Sequence, residues 1–537
     1  MGLERILARV SEMTSLVAHS FELGELALAG HSEKRRKQGG QFLTPAPVAR
    51  FMARQLGPIR AGDHILDPAI GSGVLACAVI ERVIARGQPK ELFIDGYEVD
   101  PGLCEAAREA LARATQQAAE VGITVHACLH ERDFVLDCTL SQGPGVPSLY
   151  DHVIANPPYF KLNKKDPRVK AVWGQVKGHT NIYTLFMALA GRLLKPQGQA
   201  CFIVPRSFCS GAYFAGFRRD FIKQVVPLAV HLFESRRDTF RRDAVLQENI
   251  IIAFCRRQSE QGQQPLSLII SASQGPLDLG GRLTTRQVPM KHFVGSCNGS
   301  FFFRLPTGEL DEQIIETMSS WDGSLAGYGL SVSTGPVVAF RARSFLTTAE
   351  TVRQGQAVPL LWMQNVQPQR VEWPVARGKK PQGISLQEGS ASLLVSKANY
   401  VLLRRFSSKE EPRRLIAAPL LADRFIGEWI GLENHLNYIY RKQGVLEAED
   451  AYGLSGLLNS ALIDRYVRIS NGNTQVNAAE LRALPLPPLE IIKQIGRRLL
   501  TDKADTPADV DTIVFPILRA AGCLPLDFPT IRDSRIL

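Results

Sequence analysis

The amino-acid sequence predicts an α/β protein, with a doubly wound, mainly parallel sheet in the first half and an α+β domain in the second. Three observations favour this fold class. Short strand-like runs alternate with helix-like segments between about residues 60 and 255, as in strand–helix–strand units of a parallel sheet. No helical pattern separates the last two runs, so they should form a hairpin with an antiparallel last strand. Beyond residue 300, strand-like runs with interleaved aromatic and basic residues precede a helical run.

The predicted strands of the first half are apolar runs bounded by turn residues. They are His64–Asp67, Leu92–Tyr97, Ile123–Cys128, His152–Ala155, Ala200–Val204, Leu228–Phe233 and Ile250–Phe254. An Arg-rich link from Ser235 to Asp243 joins the last two runs. A hairpin there would place one antiparallel strand in an otherwise parallel sheet.

The chain of 537 residues is too long for a single hydrophobic core, which predicts two or three domains. A polar, irregular stretch that contains Gly275, Gly280 and Gly281 indicates a junction. The expected division is a first domain at residues 1–256, a junction at 257–300, a second domain at 301–490 and a C-terminal helical extension at 491–537.

The composition favours a polyanionic partner and a reducing compartment. Lys and Arg number 63 against 52 Asp and Glu, a net charge of +11, which suits nucleic acid better than an acidic protein. The nine cysteines form no CxxC pair, so we expect reduced thiols and neither a disulfide framework nor a zinc site. The N-terminal residues lack a signal-peptide pattern and no run reaches transmembrane length, so we expect a soluble cytoplasmic protein.

Asn156-Pro157-Pro158-Tyr159 follows the strand-like run Asp151–Ala155 and is the segment with the clearest chemistry. Proline has no N–H, so the Pro157 carbonyl is not absorbed into helix or sheet and can accept a hydrogen bond. The Asn156 amide supplies a second acceptor. Together they could hold both hydrogens of a planar amino group while Tyr159 stacks on the attached ring. Taken alone, the tetrapeptide is also compatible with a structural proline turn.

A glycine-rich turn, Asp67–Gly73, lies between a predicted strand and a predicted helix. Its glycines allow close approach of backbone N–H groups to a ligand. Neither GxGxxG nor GK[ST] is complete, which disfavours phosphate as that ligand. Glu98 ends the next strand, where an acid can bind both hydroxyls of a ribose. Asp133 and Phe134 follow the third strand and suit an adenine amino group and ring, although each acid alone is compatible with a loop or helix-cap carboxylate.

Upstream, Gln38–Pro45 precedes a helix that is predicted to begin near Pro47. This loop could close over the same pocket. The basic run Lys34–Lys37 is compatible with either a solvated patch or a phosphate contact.

In this order, the segments resemble the gamma class of amino-methyltransferases, the N6-adenine DNA methyltransferases of bacterial type II restriction-modification systems. Phe42–Pro45 matches the N-terminal cofactor segment of that family, Asp67–Gly73 its methionine-binding loop and Glu98 its ribose acid. Asp133-Phe134 matches its adenine contact and Asn156–Tyr159 its catalytic tetrapeptide. More weakly, Gly453–Leu486 is similar to its DNA-recognition domain.

The resemblance implies a Rossmann-like methyltransferase sheet, S-adenosyl-L-methionine as donor, and N6 of an adenine flipped out of duplex DNA as acceptor. The implied catalytic residues are Asn156, Pro157 and Tyr159. The implied cofactor residues are Phe42, Thr44, Asp67, Pro68, Ala69, Ile70, Gly71, Gly73, Glu98, Asp133, Phe134 and Pro158. The implied DNA-substrate residues are Phe240, which would stack on the target base, with Lys161, Lys164, Lys165 and Arg241.

The expected partner is double-stranded DNA, which methylation would protect from a separately acting restriction endonuclease. We expect a monomer that needs no metal and binds no membrane. The same tetrapeptide also resembles that of enzymes that methylate a glutamine side chain or RNA, and these alternatives stay open at the level of sequence. A non-enzymatic specificity module is disfavoured because every motif position is intact, and no nuclease motif is evident.

Overall fold

The computed structural model divides the chain into two compact units, Met1–Thr307 and Gly308–Leu537. The structure describes residues 15–32, 35–36, 39–40, 42–140, 149–172, 180–233, 248–258, 266–281, 283–297, 300–376, 380–407, 411–471, 475–502, 504, 506–529 and 531. Within these ranges, no helix is both long and apolar enough to cross a membrane.

The first unit alternates strands and helices. In chain order its elements are α1 Leu16–Leu28, α2 Ala46–Gln55, β1 Asp63–Asp67, α3 Val74–Arg86, β2 Glu91–Tyr97, α4 Pro101–Glu120, β3 Thr124–His130, α5 Phe134–Leu140, β4 Tyr150–Ala155, β5 Lys161–Leu162, α6 Pro167–Val172, β6 Thr180–Asn181, α7 Ile182–Leu193, β7 Leu194–Pro205, α8 Ala215–Gln224, β8 Val225–Phe233, β9 Asn249–Arg256, β10 Ser267–Ser273, β11 Thr284–Pro289, α9 Met290–Phe293, β12 Val294–Cys297 and β13 Ser300–Phe303.

One nine-stranded sheet organises this unit, in the order β11-β10-β8-β9-β7-β4-β1-β2-β3. Strands β3, β2, β1, β4 and β7 are parallel to one another. Strand β9 runs antiparallel between β7 and β8. The doubly wound sheet and its antiparallel strand are therefore confirmed. Because β1, β2, β3 and β4 are parallel, their carboxyl ends meet at one edge, where ligands bind in open α/β sheets.

Alternation along the strands sends successive side chains into two cores, one on each face of the sheet. Ile65 and Ile154 point to the core formed with α1, α2 and α3. Leu66 and Val153 point to the opposite core, formed with α7 and α8. Both faces are thus covered, which explains why the central strands read as nearly continuous apolar runs.

The expected boundary at residue 256 differs from the observed one, because the sheet continues past β9. Strand β10 pairs parallel with β8, and β11 pairs antiparallel with β10. Their side chains Leu268, Ile270 and Val288 are buried in the same core as β8. The buried guanidinium of Arg218 also donates to the Phe301 carbonyl. Residues 257–300 are therefore part of the first unit rather than a junction.

The second unit is of α+β composition. Its elements are α10 Glu309–Ser319, β14 Leu330–Thr334, β15 Leu346–Thr347, α11 Ala349–Arg353, β16 Ala357–Leu361, β17 Val366–Gln367, β18 Arg370–Val371, β19 Gly383–Ser385, β20 Leu394–Ser396, β21 Tyr400–Arg404, β22 Ala417–Leu420, β23 Trp429–Leu432, β24 Leu436–Arg441, α12 Ala448–Asn459, α13 Ala461–Ser470, α14 Ala478–Arg482, α15 Leu489–Thr501 and α16 Pro507–Ala520. Strands β14-β24-β21-β22 and β15-β19-β16-β23-β20 form its two larger sheets.

The last two helices belong to the core of this unit and are not an extension of it. Ile492 and Ile495 of α15 and Val514 of α16 are fully buried with α12. A side chain at Gly453 of α12 would collide with the Ile492 carbonyl. The backbones of α12 and α15 therefore pack in close contact. The expected boundary at residue 490 would have placed these two helices in different domains.

A truncation tests the observed boundary. We expect a fragment of residues 1–307 to be soluble and to unfold cooperatively. A fragment of residues 1–256 should aggregate or melt at a lower temperature, because it leaves the β8 edge unpaired and part of an apolar core uncovered. Thermal unfolding and size-exclusion chromatography measure both properties. Equal solubility and stability of the two fragments would contradict the nine-stranded sheet as one folding unit.

Candidate active site

A cavity of about 320 Å³ lies at the carboxyl edge of the first unit's sheet. The predicted site residues in its wall are Phe42, Pro68, Ala69, Gly71, Glu98, Asp133, Phe134, Asn156 and Pro158. These come from the ends of β1, β2, β3 and β4 and from the loop before α2. Segments that are far apart in sequence therefore converge on one cavity.

The glycine-rich turn after β1 is tied to the end of β2. Gly73 caps α3 with a φ of 92°, a left-handed conformation that glycine adopts without steric cost. The Ile70 N–H donates to the Tyr97 carbonyl at 3.0 Å, and the Gly71 N–H donates to Glu98 Oε2 at 3.1 Å. The turn and the acid at the end of the next strand thus form a single wall.

The Glu98 carboxylate is held by backbone donors. Its Oε1 accepts from the N–H groups of Val99 and Asp100, at 2.7 and 2.8 Å. Burial raises the pKa of Glu98, and these N–H groups and that of Gly71 oppose the increase. A carboxylate has about four acceptor positions, so Oε2 can still accept from a ligand hydroxyl.

Asp67 is a buried acid at the base of the turn, with 1% of its surface exposed. Burial raises the pKa of Asp67 from 3.8 to about 8, with a smaller contribution from the nearby Glu98 and opposition from the Ala69 N–H. Its Oδ1 accepts from that N–H at 3.3 Å. Its Oδ2 and the Ser72 hydroxyl are buried without a hydrogen-bond partner among the described residues. Neither residue lines the cavity, so these atoms lie behind the turn that does.

Asp133 both caps a helix and faces the cavity. Its Oδ1 accepts from the Leu136 N–H at 3.0 Å, at the start of α5. Its Oδ2 lies 3.6 Å from Arg168 Nη1. Phe134 is buried, with its ring 5.4 Å from Tyr97 and 5.1 Å from Phe186. The carboxylate and the ring therefore lie together on one side of the cavity.

The amide of Asn156 is bonded at both ends. Its Nδ2 donates to the Phe42 carbonyl at 3.0 Å and to Thr44 Oγ1 at 3.1 Å. The Tyr159 hydroxyl lies 2.6 Å from Asn156 Oδ1 and 2.8 Å from the Ile203 carbonyl, and donates toward both. Burial raises the pKa of Tyr159 well above its usual value, so this hydroxyl stays a donor.

The loop before α2 packs directly on the catalytic tetrapeptide. Gly40 has a φ of 64°, and a Cβ on it would lie 2.7 Å from the Tyr159 nitrogen and 2.8 Å from Pro158 Cβ. Glycine is therefore required here by both conformation and space. No hydrogen bond reaches the Pro157 carbonyl from the described residues, so this acceptor stays available.

Several predicted residues lie outside the cavity wall. Six described residues are absent from the wall: Thr44, Asp67, Ile70, Gly73, Pro157 and Tyr159. Lys161, Lys164 and Lys165 are exposed on the segment after the tetrapeptide. Phe240 and Arg241, with the Arg-rich link, are outside the described residues.

Other wall residues were not among the predicted site residues, although Gly39, Gly40 and Leu43 lie in the loop that was expected to close over the pocket. They are Leu28, Gly39, Gly40, Leu43, Tyr97, Val99, Leu103, Arg132, Phe160, Arg168, Ile182 and Phe186. Leu28 and Leu103 come from the helices α1 and α4, where an apolar side chain gives no functional signal. Arg168 is anchored by Asp166 at 2.8 Å and lies 5.5 Å from the Phe160 ring.

The fold and the cavity together define an S-adenosylmethionine-dependent methyltransferase. A family model described as N-6 DNA methylase matches residues 21–236. A type II methyltransferase of Providencia stuartii, M.PstI, is 32% identical over 479 residues, which are 88% of this chain and 92% of that protein. M.BsuBI of Bacillus subtilis is 32% identical over 472 residues, 86% of this chain and 90% of that protein. The chain therefore belongs to the N-6 DNA methylase family of type II methyltransferases.

Among solved structures, a complex described as DrdV with DNA covers 89% of this chain and 59% of that chain, with 13% identity and a TM-score of 0.49. This similarity is too distant to inform function.

The buried Asp67 predicts a specific pH dependence of stability. Its pKa is higher in the folded than in the unfolded chain, so the contribution of Asp67 to stability is greatest below about pH 4 and is lost as the pH rises through about 8. The Asp67→Asn variant has no such titration. Urea unfolding from pH 4 to 9 should show the variant gaining stability relative to wild type across this interval. Parallel pH profiles would contradict a protonated, buried Asp67.

Proposed function

We propose that this methyltransferase is adenine-specific: it transfers the methyl group of S-adenosyl-L-methionine to N6 of an adenine in a defined sequence of double-stranded DNA. We also propose that this methylation protects the DNA from a restriction endonuclease that acts as a separate protein. The observation that carries the proposal is the Asn156 amide, whose Nδ2 is bonded while Oδ1, which accepts from Tyr159, retains a second lone pair. The Pro157 carbonyl that follows it accepts no hydrogen bond from the described residues.

The cavity has the groups that this cofactor needs. The glycine turn contributes Pro68, Ala69 and Gly71 to the cavity wall, where the resemblance places the methionine part. Glu98 retains an acceptor position for a ribose hydroxyl. Asp133 and Phe134 offer a carboxylate and a ring to adenine. When bound, the cofactor supplies the electrophilic methyl group.

The reaction then depends on how the protein presents the amino nitrogen. The lone pair of an aromatic amine is delocalised, so the free amine is a weak nucleophile. Two acceptors, Asn156 Oδ1 and the Pro157 carbonyl, would bind its two hydrogens and favour a tetrahedral nitrogen with its lone pair directed outward. Such contacts strengthen as the nitrogen becomes positive, so they stabilise the transition state more than the ground state.

The target base must leave the duplex to reach this site. We propose that the Tyr159 ring stacks on the flipped base and that Phe240 contributes a second aromatic contact. The exposed Lys161, Lys164 and Lys165 would contact phosphates.

We propose that the second unit reads the DNA sequence. Among its basic residues, Arg404 has a structural role, because its Nε donates to the Val366 carbonyl at 2.7 Å. Arg341 and Arg343 are exposed, and the Arg341 guanidinium lies 5.3 Å from the ring of Phe340, which is 67% exposed. An exposed arginine–aromatic pair on a turn is well suited to contact DNA. Arg341 is therefore the strongest candidate for base contact.

RNA and protein-glutamine methylation are not favoured, because the type II relatives match both halves of the chain. Incubation with methyl-labelled cofactor and duplex DNA, single-stranded RNA or protein substrates separates these activities. We expect N6-methyladenine in one sequence context of duplex DNA. Label in cytosine, in RNA or in protein would overturn the proposal.

Asn156→Ala tests the catalytic role. We expect retained cofactor and DNA binding but a loss of roughly 10²- to 10³-fold in single-turnover methylation, as for loss of a transition-state hydrogen-bond partner. Rapid-quench assays with saturating enzyme isolate this step. Near-normal single-turnover rates would remove Asn156 from catalysis.

Glu98→Gln tests the ribose assignment. We expect cofactor affinity to fall by about tenfold or more, since one charge-assisted hydrogen bond is lost, while DNA affinity is unchanged. Calorimetric titration measures both. Glu91→Gln, at the exposed start of the same strand, is the matched control and should bind cofactor normally. Equal affinities for the two variants would exclude Glu98.

A further inference from the structure

A second group of chemically reactive side chains lies outside the cavity wall, on the neighbouring strands β2 and β3. The two strands are parallel, with Asp95 of β2 opposite Cys128 of β3, and His130 lies two residues further along β3. Side chains at positions i and i+2 of a strand share a face, so all three residues point to the same face of the sheet. Their ligand atoms, one from each residue, all lie within 4.8 Å of one another.

The spacing of these side chains fits a shared metal ion better than a simple ion pair. His130 Nε2 lies 3.5 Å from Asp95 Oδ1, whereas a charge-assisted hydrogen bond spans about 2.7 to 2.9 Å. Two nitrogen or oxygen ligands of a tetrahedral zinc ion, each about 2.0 to 2.1 Å from the metal, lie about 3.4 Å apart. An ion between the His130 and Asp95 atoms would be within reach of the Cys128 sulfur as a third ligand.

Cys128 differs from the other cysteines in its exposure. Among the cysteines whose side chains the structure describes, Cys128 is exposed and the rest are buried or half-buried. A free cysteine usually packs as a small apolar residue, and burial raises the pKa of a thiol such as Cys138 to about 12, which keeps it neutral. The Cys128 sulfur is instead accessible to an ion from solvent, and metal binding would release the thiol proton.

Neighbouring aromatic residues hold the other two side chains in place. The Tyr97 ring stacks on the His130 ring, with the ring centroids 4.6 Å apart. Tyr150 of β4 is a hydrogen-bond partner of Asp95. Burial, and then the charge of Asp95, raise the pKa of the Tyr150 phenol, so the phenol stays protonated and donates to the carboxylate. Outer contacts of this kind orient the ligands in metal sites.

The donor set decides the kind of metal. Magnesium and calcium take oxygen ligands, whereas a thiolate, an imidazole and a carboxylate together suit zinc. We propose that Asp95, Cys128 and His130 form a binding site for one Zn²⁺ ion, with water as the fourth ligand. No CxxC pair marks this site in the sequence, because its ligands come from two strands. None of the three side chains lines the cavity, so the inference does not depend on the proposed function.

Cobalt titration of the full-length protein is the direct test, because Co²⁺ accepts the same ligands as Zn²⁺ and reports them in its absorption spectrum. The protein is freed of metal by dialysis against a chelator, kept reduced, and titrated with Co²⁺. We expect one equivalent to bind, with a near-ultraviolet charge-transfer band from the thiolate and the strong visible bands of a four-coordinate ion. Added Zn²⁺ should displace the cobalt and remove both features.

Cys128→Ser isolates the proposed site, because the exposed side chain can be changed without disturbing the core. We expect loss of the charge-transfer band and a fall in Zn²⁺ affinity of at least about 100-fold, since loss of an outer partner alone costs about 10- to 100-fold. Asp95→Asn preserves shape and should weaken Zn²⁺ binding in the same way. His126→Ala is the matched control. It removes a neighbouring histidine of the same strand, which is paired with Glu91 at 3.2 Å, and should leave Zn²⁺ affinity unchanged.

Circular dichroism establishes that each variant is folded before the titrations are compared. Any of three results would overturn the inference. The first is a wild-type protein that gives no cobalt spectrum. The second is a charge-transfer band that persists in Cys128→Ser, which would place the ion on another cysteine. The third is an equal loss of Zn²⁺ affinity in His126→Ala and Asp95→Asn, which would show that the exposed histidines of β3 bind the metal without a defined site.

Discussion

The chemistry of this protein depends on one side-chain amide, whose two ends must not be exchanged. Asn156 leaves the end of β4, yet its orientation is set by the loop before α2 and by Tyr159, whose hydroxyl also points to the Ile203 carbonyl of β7. These groups come from the loop before α2, from the segment after β4 and from β7. The nine-stranded sheet therefore matters for function because it brings these elements into register. Gly40 permits the approach, since any larger residue would collide with the tetrapeptide backbone.

The same edge of the sheet carries two acids in a poorly solvated setting. Burial raises the pKa values of Asp67 and Glu98, which means that their poorly solvated surroundings oppose the ionised forms. A cationic or hydroxyl-rich ligand would relieve that opposition. Asp67 lies outside the cavity wall, whereas Glu98 lines it, so Glu98 is the acid of this pair that can contact a ligand. Burial of these two acids thus lowers folding stability at this edge of the sheet and suits the binding of a ligand there.

Much of the first unit could be predicted from the sequence, because buried parallel strands leave long apolar runs and the motifs sit at strand ends. Strands β10 and β11 were not predicted. Their polar flanks resemble a linker, and β11, an edge strand, has only Val288 fully buried. Within the site, the acids and the tetrapeptide were predicted by type and position. The bond from Thr44 to Asn156 was not, because sequence gives no signal for which loop hydroxyl reaches a group more than 100 positions away.

The side-chain amide of Asn156 offers the most direct test of this account. Its ¹⁵N-resolved NH₂ signals, assigned by comparison with Asn156→Ala, report exchange of the two Nδ2 hydrogens with water. The account predicts slow exchange of both hydrogens relative to Asn163, which lies on an exposed turn, because the Phe42 carbonyl and the Thr44 hydroxyl bind them. Exchange as fast as that of Asn163 would contradict a fixed amide.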